Sequence, residues 1–131
     1  MSVGVEEPPR SAVSFRSIGG RAGRQPYRDL QAGERKALAA AFERAIREIP
    51  TVRGMRFGRR LMHGAGYEEH AANSADYLVI VDFDDLAGLQ TYLRHPAHAE
   101  LGARFGQSVS SALVYDFEAG RVEDLGVSGF L

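Results

Sequence analysis

Thr91-Tyr92-Leu93-Arg94-His95-Pro96-Ala97-His98 is the stretch on which the fold turns, because its proline forces two helical pieces to meet at a corner. Just upstream, Asp84 and Asp85 carry acceptors for free backbone N–H groups, and Leu86, Leu89, Tyr92 and Leu93 recur at helical spacing. A helix is therefore predicted over residues 85–94. The residue before a proline is pushed out of the α region, which puts His95 in an extended link, while Pro96 suits the first position of a new helix. His98 then falls in the first turn of that helix, where the positive dipole end disfavours an imidazolium. A neutral imidazole is a competent general base. On one straight helix Tyr92 and His98 would lie on different faces, and the corner is what lets both reach one cavity.

Each of these residues also has a plain structural use. His95 suits a hydrogen bond to a free carbonyl at the helix end, Tyr92 sits on an apolar helix face, and His98 can simply pack. The His-x-x-His spacing is compatible with a metal, but no second cluster of Asp, Glu or Cys accompanies it, so no metal is expected.

Outward from the corner, residues 77–83 are apolar on both faces, as in a strand covered on each side. Residues 109–117 alternate, with Val109, Ser111, Leu113, Tyr115 and Phe117 expected on one face of a last strand, after a helical piece running through Leu101 and Phe105. Towards the N-terminus, Leu38, Phe42, Ala45, Ile46 and Ile49 recur at helical spacing, predicting the longest helix over residues 30–48, ended by Pro50. Residues 51–61 read as a strand interrupted by Gly54 and Gly58, and its Arg56, Arg59 and Arg60 read as a solvated basic edge. Residues 63–75 form a loop in which His63 and His70 are expected to face solvent and Tyr67 is a candidate aromatic lid. A first strand is expected over residues 11–18. The glycine-rich basic run at 19–24 lacks the Lys-Ser/Thr of a P-loop and reads as a connection. Residues 1–10 are expected to be a disordered tail, 11–118 the domain, and 119–131 a C-terminal tail whose Phe130 and Leu131 are available to dock on a partner.

The order β-α-β-β-α-β with a helical appendix is that of an α+β ferredoxin-like antiparallel sheet. Its helices cover one face of the sheet. The doubly apolar third strand then needs a cover on the other face, which a homodimer packed sheet on sheet supplies.

Composition narrows the function. At 131 residues and 44% apolar, the chain suits one domain with its own core. A net charge of −1 gives no drive towards nucleic acid or an anionic membrane. Absence of cysteine excludes disulfides and thiol catalysis, and the lone lysine, Lys36, lies in a charged Glu34-Arg35-Lys36 run, leaving little room for Schiff-base chemistry. No apolar run approaches a membrane span and the N-terminus lacks the apolar core of a signal peptide, so a cytoplasmic protein is expected.

The run Tyr77-Leu-Val-Ile-Val-Asp-Phe83, then Asp85-Leu-Ala-Gly-Leu-Gln-Thr-Tyr92, His95-Pro-Ala-His98 and Leu113-Val-Tyr-Asp-Phe117 resembles the stress-responsive A/B barrel family. The resemblance covers residues 28–118 and implies a ferredoxin-like fold that dimerises into a barrel. It also implies membership of a group that includes cofactor-free polyketide cyclases, whose tyrosine and last histidine of the motif are catalytic. The corresponding residues are Tyr92 and His98, with His95, Tyr77 and Phe105 as candidate substrate contacts and a small apolar, aromatic or polyketide-like molecule as ligand; no cofactor is expected. Cyclase-like members carry histidines on the first and third strands, whereas residues 11–18 hold none and Tyr77 stands near the expected place on the third. A non-enzymatic stress-responsive dimer, a cofactor-free monooxygenase and heme-related chemistry are the alternatives.

Overall fold

In the computed structural model, residues 10–17, 32–70, 75–127 and 129 are described, so the tail at 1–9, the glycine-rich run at 19–24, Phe130 and Leu131 lie outside the described residues. The strands are β1 (Arg10–Ser17), β2 (Gly54–Arg59), β3 (Tyr77–Asp82) and β4 (Val109–Phe117). The helices are α1 (Ala32–Glu48), α2 (Leu86–Arg94) and α3 (Pro96–Ser108), and short 3-10 turns occupy Gly66–His70 and Val122–Gly126. The strands form one antiparallel sheet in the order β2-β3-β1-β4. This is the predicted ferredoxin-like α+β arrangement, with the appendix resolved as a full third helix.

Alternation along β3 decides which face is which. Tyr77, Val79 and Val81 are buried, as is Phe83 just beyond the strand, while Leu78 between them is exposed. Leu38, Ala41, Ala45 and Ile49 of the α1 stripe close over that face, joined by Leu89, Tyr92, Ala97 and Leu101 from the other two helices. Fully burying a side chain such as Phe83 or Ile49 contributes roughly 1.5–3 kcal/mol. Arg44 holds the two long helices in register from outside, pairing with Glu48 in its own helix (2.8 Å) and with Glu100 of α3.

The opposite face carries Leu78, Leu113, Tyr115 and Phe117, all at least 40% exposed in the single chain. Val109 does not join them. The pairing of β1 with β4 runs Arg16↔Ser111 and then Ser17↔Val109, so one extra residue interrupts the alternation. That bulge shifts Val109 to the covered face, where it is buried, contrary to the strict alternation expected from the sequence.

Candidate functional site

The α2–α3 corner is built as the sequence dictates. Asp85 caps α2 with its carboxylate accepting from the Gly88 N–H at 2.7 Å. Thr51, from the segment before β2, donates its hydroxyl to the Gly88 carbonyl at 2.8 Å, tying the helix start to the sheet. A Cβ at Gly88 would stand 3.3 Å from Thr51 Cβ, so glycine is what permits this approach. Arg53 pairs with Asp84 at 2.6 Å beside it.

At the other end His95 is extended (φ −77°, ψ 141°), and its N–H closes α2 on the Tyr92 carbonyl at 3.2 Å. Among the described residues its side chain binds no carbonyl. Instead Nδ1 accepts the Ala97 N–H at 3.0 Å, so His95 is the N-cap of α3 and that nitrogen's lone pair is committed. Pro96 occupies the first turn, where its missing N–H costs nothing.

The corner brings the phenol and the second imidazole together. The rings of Tyr92 and His98 lie 4.6 Å apart at 58°, and the other side of Tyr92 meets Phe83 at 5.1 Å. Tyr92 is buried and His98 half-buried. Burial holds the His98 imidazole below its ordinary pKa, opposed by a hydrogen bond to the Leu93 carbonyl. The direction is the one anticipated, with loss of solvent as the leading cause rather than the helix dipole. Burial, helped by the negative charge of Asp116, pushes the Tyr92 phenol up from 10.0 to about 12. Asp116 pairs in register with Ser11 and had no signal in the sequence, since it lies on a different element from Tyr92. A neutral imidazole beside a firmly protonated phenol can accept a proton at one atom and donate a hydrogen bond at another.

Among the described residues, a cavity of about 630 Å³ opens between α1 and the β2–β3 edge. Leu38, Phe42 and Ile46 form its helix wall, and Met55, Phe57, Tyr77 and Val79 its sheet wall, with Arg35 and Arg59 among the polar lining. Tyr92 and His98 do not line it. Tyr77 does, stacked on Phe57 at 5.5 Å. Phe105 meets Phe42 edge-on at 5.3 Å and so stands behind the helix wall. Arg59, read from the sequence as a solvated edge, lines the cavity because Met55, Phe57 and Arg59 pair with Val81, Val79 and Tyr77 and so share the helix-covered face of the sheet. That period-two signal was present in the chain.

The β2–β3 loop stays apart. Tyr67 is 71% exposed, bonded to His63 at 3.2 Å, and does not line the cavity, so it is no lid on it. Glu68 accepts N–H groups of His63, Gly64 and Ala65, and these bonds hold its carboxyl below the usual range. No group of three or more metal-ligating side chains occurs among the described residues, and no described helix is long and apolar enough to cross a membrane.

The pattern of the stress responsive A/B barrel domain matches residues 28–119 of this chain. No curated protein matches it. Among solved structures, a hydroxynitrile lyase from Passiflora edulis is similar at a TM-score of 0.67 and 15% identity, over 88% of this chain and 96% of that one. A dimeric ferredoxin-like protein from Thermobifida fusca is similar at 0.60 and 20%, over 87% and 92%. A cofactor-independent oxygenase from Streptomyces nogalater is similar at 0.60 and 12%, over 88% and 95%. At such identities the likeness establishes the fold.

Proposed function

The chain belongs to the stress responsive A/B barrel domain family, and from that premise we propose a cofactor-independent enzyme that acts on a small molecule between the helices and sheet of a homodimer. The observation that carries the reading is the Tyr92–His98 contact at 4.6 Å, which sets a proton acceptor against a buried donor at the α2–α3 corner. His98 removes a proton from a carbon flanked by two carbonyls. Tyr92 hydrogen-bonds the carbonyl oxygen as enolate charge develops. The carbanion then attacks a carbonyl further along the same chain, forming a carbon–carbon bond, and the imidazolium returns its proton to the new alkoxide. The outcome is a polyketide-type aldol closure. The cavity along α1 and β2 holds the rest of the substrate, with Tyr77 in its wall. His95 supports the site through its cap, and Phe105 through Phe42.

Support for the dimer comes from the apolar side chains left exposed on the open sheet face and from the similar structure that is itself dimeric. The test is turnover of a linear poly-β-keto acid by the full chain. His98→Ala should lower it by about 10²–10⁴-fold with the dimer still folded. Unchanged turnover removes His98 as base.

One observation favours a second reading. The cavity along α1 and β2 is lined by neither Tyr92 nor His98, which suits a dimeric binding protein whose corner only packs. Under that reading ligand binds and no poly-β-keto acid is converted. Cofactor-free oxygenation, the activity of the Streptomyces nogalater neighbour, is separated by working anaerobically, which stops an oxygenase and leaves a cyclase running.

A further inference from the structure

Charge in the cavity wall says what kind of molecule it takes. The apolar walls present Phe57 stacked on Tyr77 at 28° between planes, a flat aromatic surface suited to another ring. Arg35 reaches this space from α1 and Arg59 from β2, and among the described residues neither has an ion-pair partner. Arg56 also lines it but already faces Asp82 at 3.9 Å. Arg35, Arg56 and Arg59 stand against the single carboxylate of Glu43, so the lining as a whole is positive and suits an anion. Guanidinium forks match carboxylates in shape as well as charge.

Resting on the reading that this cavity holds the substrate, we infer that it also retains the ring-closed, dehydrated product as an aromatic monocarboxylate, its ring against Phe57 and Tyr77 and its carboxylate taken by Arg59 and Arg35. Each guanidinium fork can take both oxygens of a carboxylate, and the aromatic pair gives the ring a surface to lie against. A volume of about 630 Å³ is in the range of pockets that enclose ligands of this class.

The experiment is calorimetric titration of the full chain with 2-naphthylacetate, its neutral amide and 2-naphthyl phosphate. The acid should bind about tenfold or more tightly than the amide, because charge-assisted hydrogen bonds are the stronger kind. The phosphate should bind no better than the acid. In an Arg35→Gln, Arg59→Gln double variant the acid should weaken to the level of the amide, while the amide is unchanged. Ala39→Trp, a filling substitution at an exposed lining position, should abolish binding of both. Equal binding of acid and amide to the parent chain, or tighter binding of the phosphate, overturns the carboxylate assignment. If Ala39→Trp still removes both ligands, the cavity reading survives that failure. Acid binding that persists in Ala39→Trp places the acid elsewhere and overturns the inference, and a parent chain that binds none of the three overturns the cavity reading with it.

Discussion

The donor role of Tyr92 requires its phenol to stay protonated, and that makes a measurable statement about stability. Its pKa is raised from 10.0 in the unfolded chain to about 12 in the folded one, by burial first and by Asp116 second. A group whose folded pKa is raised contributes stability that is complete below the unfolded value and is lost as pH rises through the folded value. For Tyr92 the window is therefore from pH 10 to about 12. Two pKa units correspond to ~2.7 kcal/mol, and because Tyr92 is only 5% exposed little of this is screened by solvent. Urea unfolding of the parent chain and of Tyr92→Phe, at matched pH values across that window, isolates the effect, since the other four tyrosines titrate in both. The parent chain should lose about 2–3 kcal/mol more than the variant, and tyrosinate absorbance should show one late-titrating group absent from Tyr92→Phe. Equal losses in the two proteins, or a Tyr92 phenol that ionises with the exposed tyrosines, would refute the burial argument and with it the firmly protonated donor.

Further outcomes follow from other parts of the corner and sheet. Because burial lowers the His98 pKa, base catalysis should hold above the ordinary histidine value of 6.5 and decline as pH falls through the depressed folded value, read from the pH profile of turnover. An acid limb placed above 6.5 would contradict this. Asp85→Ala removes the cap on Gly88 and should lower stability by about 1 kcal/mol in chemical denaturation. Gly88→Ala gains up to ~1 kcal/mol of helix propensity, yet its new methyl would sit 3.2 Å from Asp85 Oδ1 and 3.3 Å from Thr51 Cβ. Crowding should win, giving net destabilisation, and a stabilised variant would show that Thr51 yields freely. Tyr115→Glu puts a charge on the open sheet face and should shift the sedimenting species from dimer to monomer, whereas an unaltered dimer would move the interface elsewhere.

Much of this protein is determined by local sequence. The Leu38 to Ile49 stripe makes a helix wherever it is placed, Pro96 makes a corner, and alternation makes Leu113 to Phe117 a strand, because each signal is the period of one element. The order of those elements then specifies a four-stranded sheet with helices on one side, and an apolar face left over. What only tertiary structure decided concerns distances between elements, which no period encodes. The bulge at Arg16 and Ser17 moved Val109 across the sheet, although its spacing placed it with Leu113. Packing brought the charge of Asp116 within reach of Tyr92, and the meeting of α1 with the β2–β3 edge made a cavity lined by Arg35 and Arg59 from separate elements. Side-chain competition at a helix end turned His95 from a carbonyl donor into the cap of α3, since the Ala97 N–H lay within 3.0 Å of Nδ1. Residue types set which chemistry is possible at the corner, and the packing of the helices on the sheet set which of those groups meet.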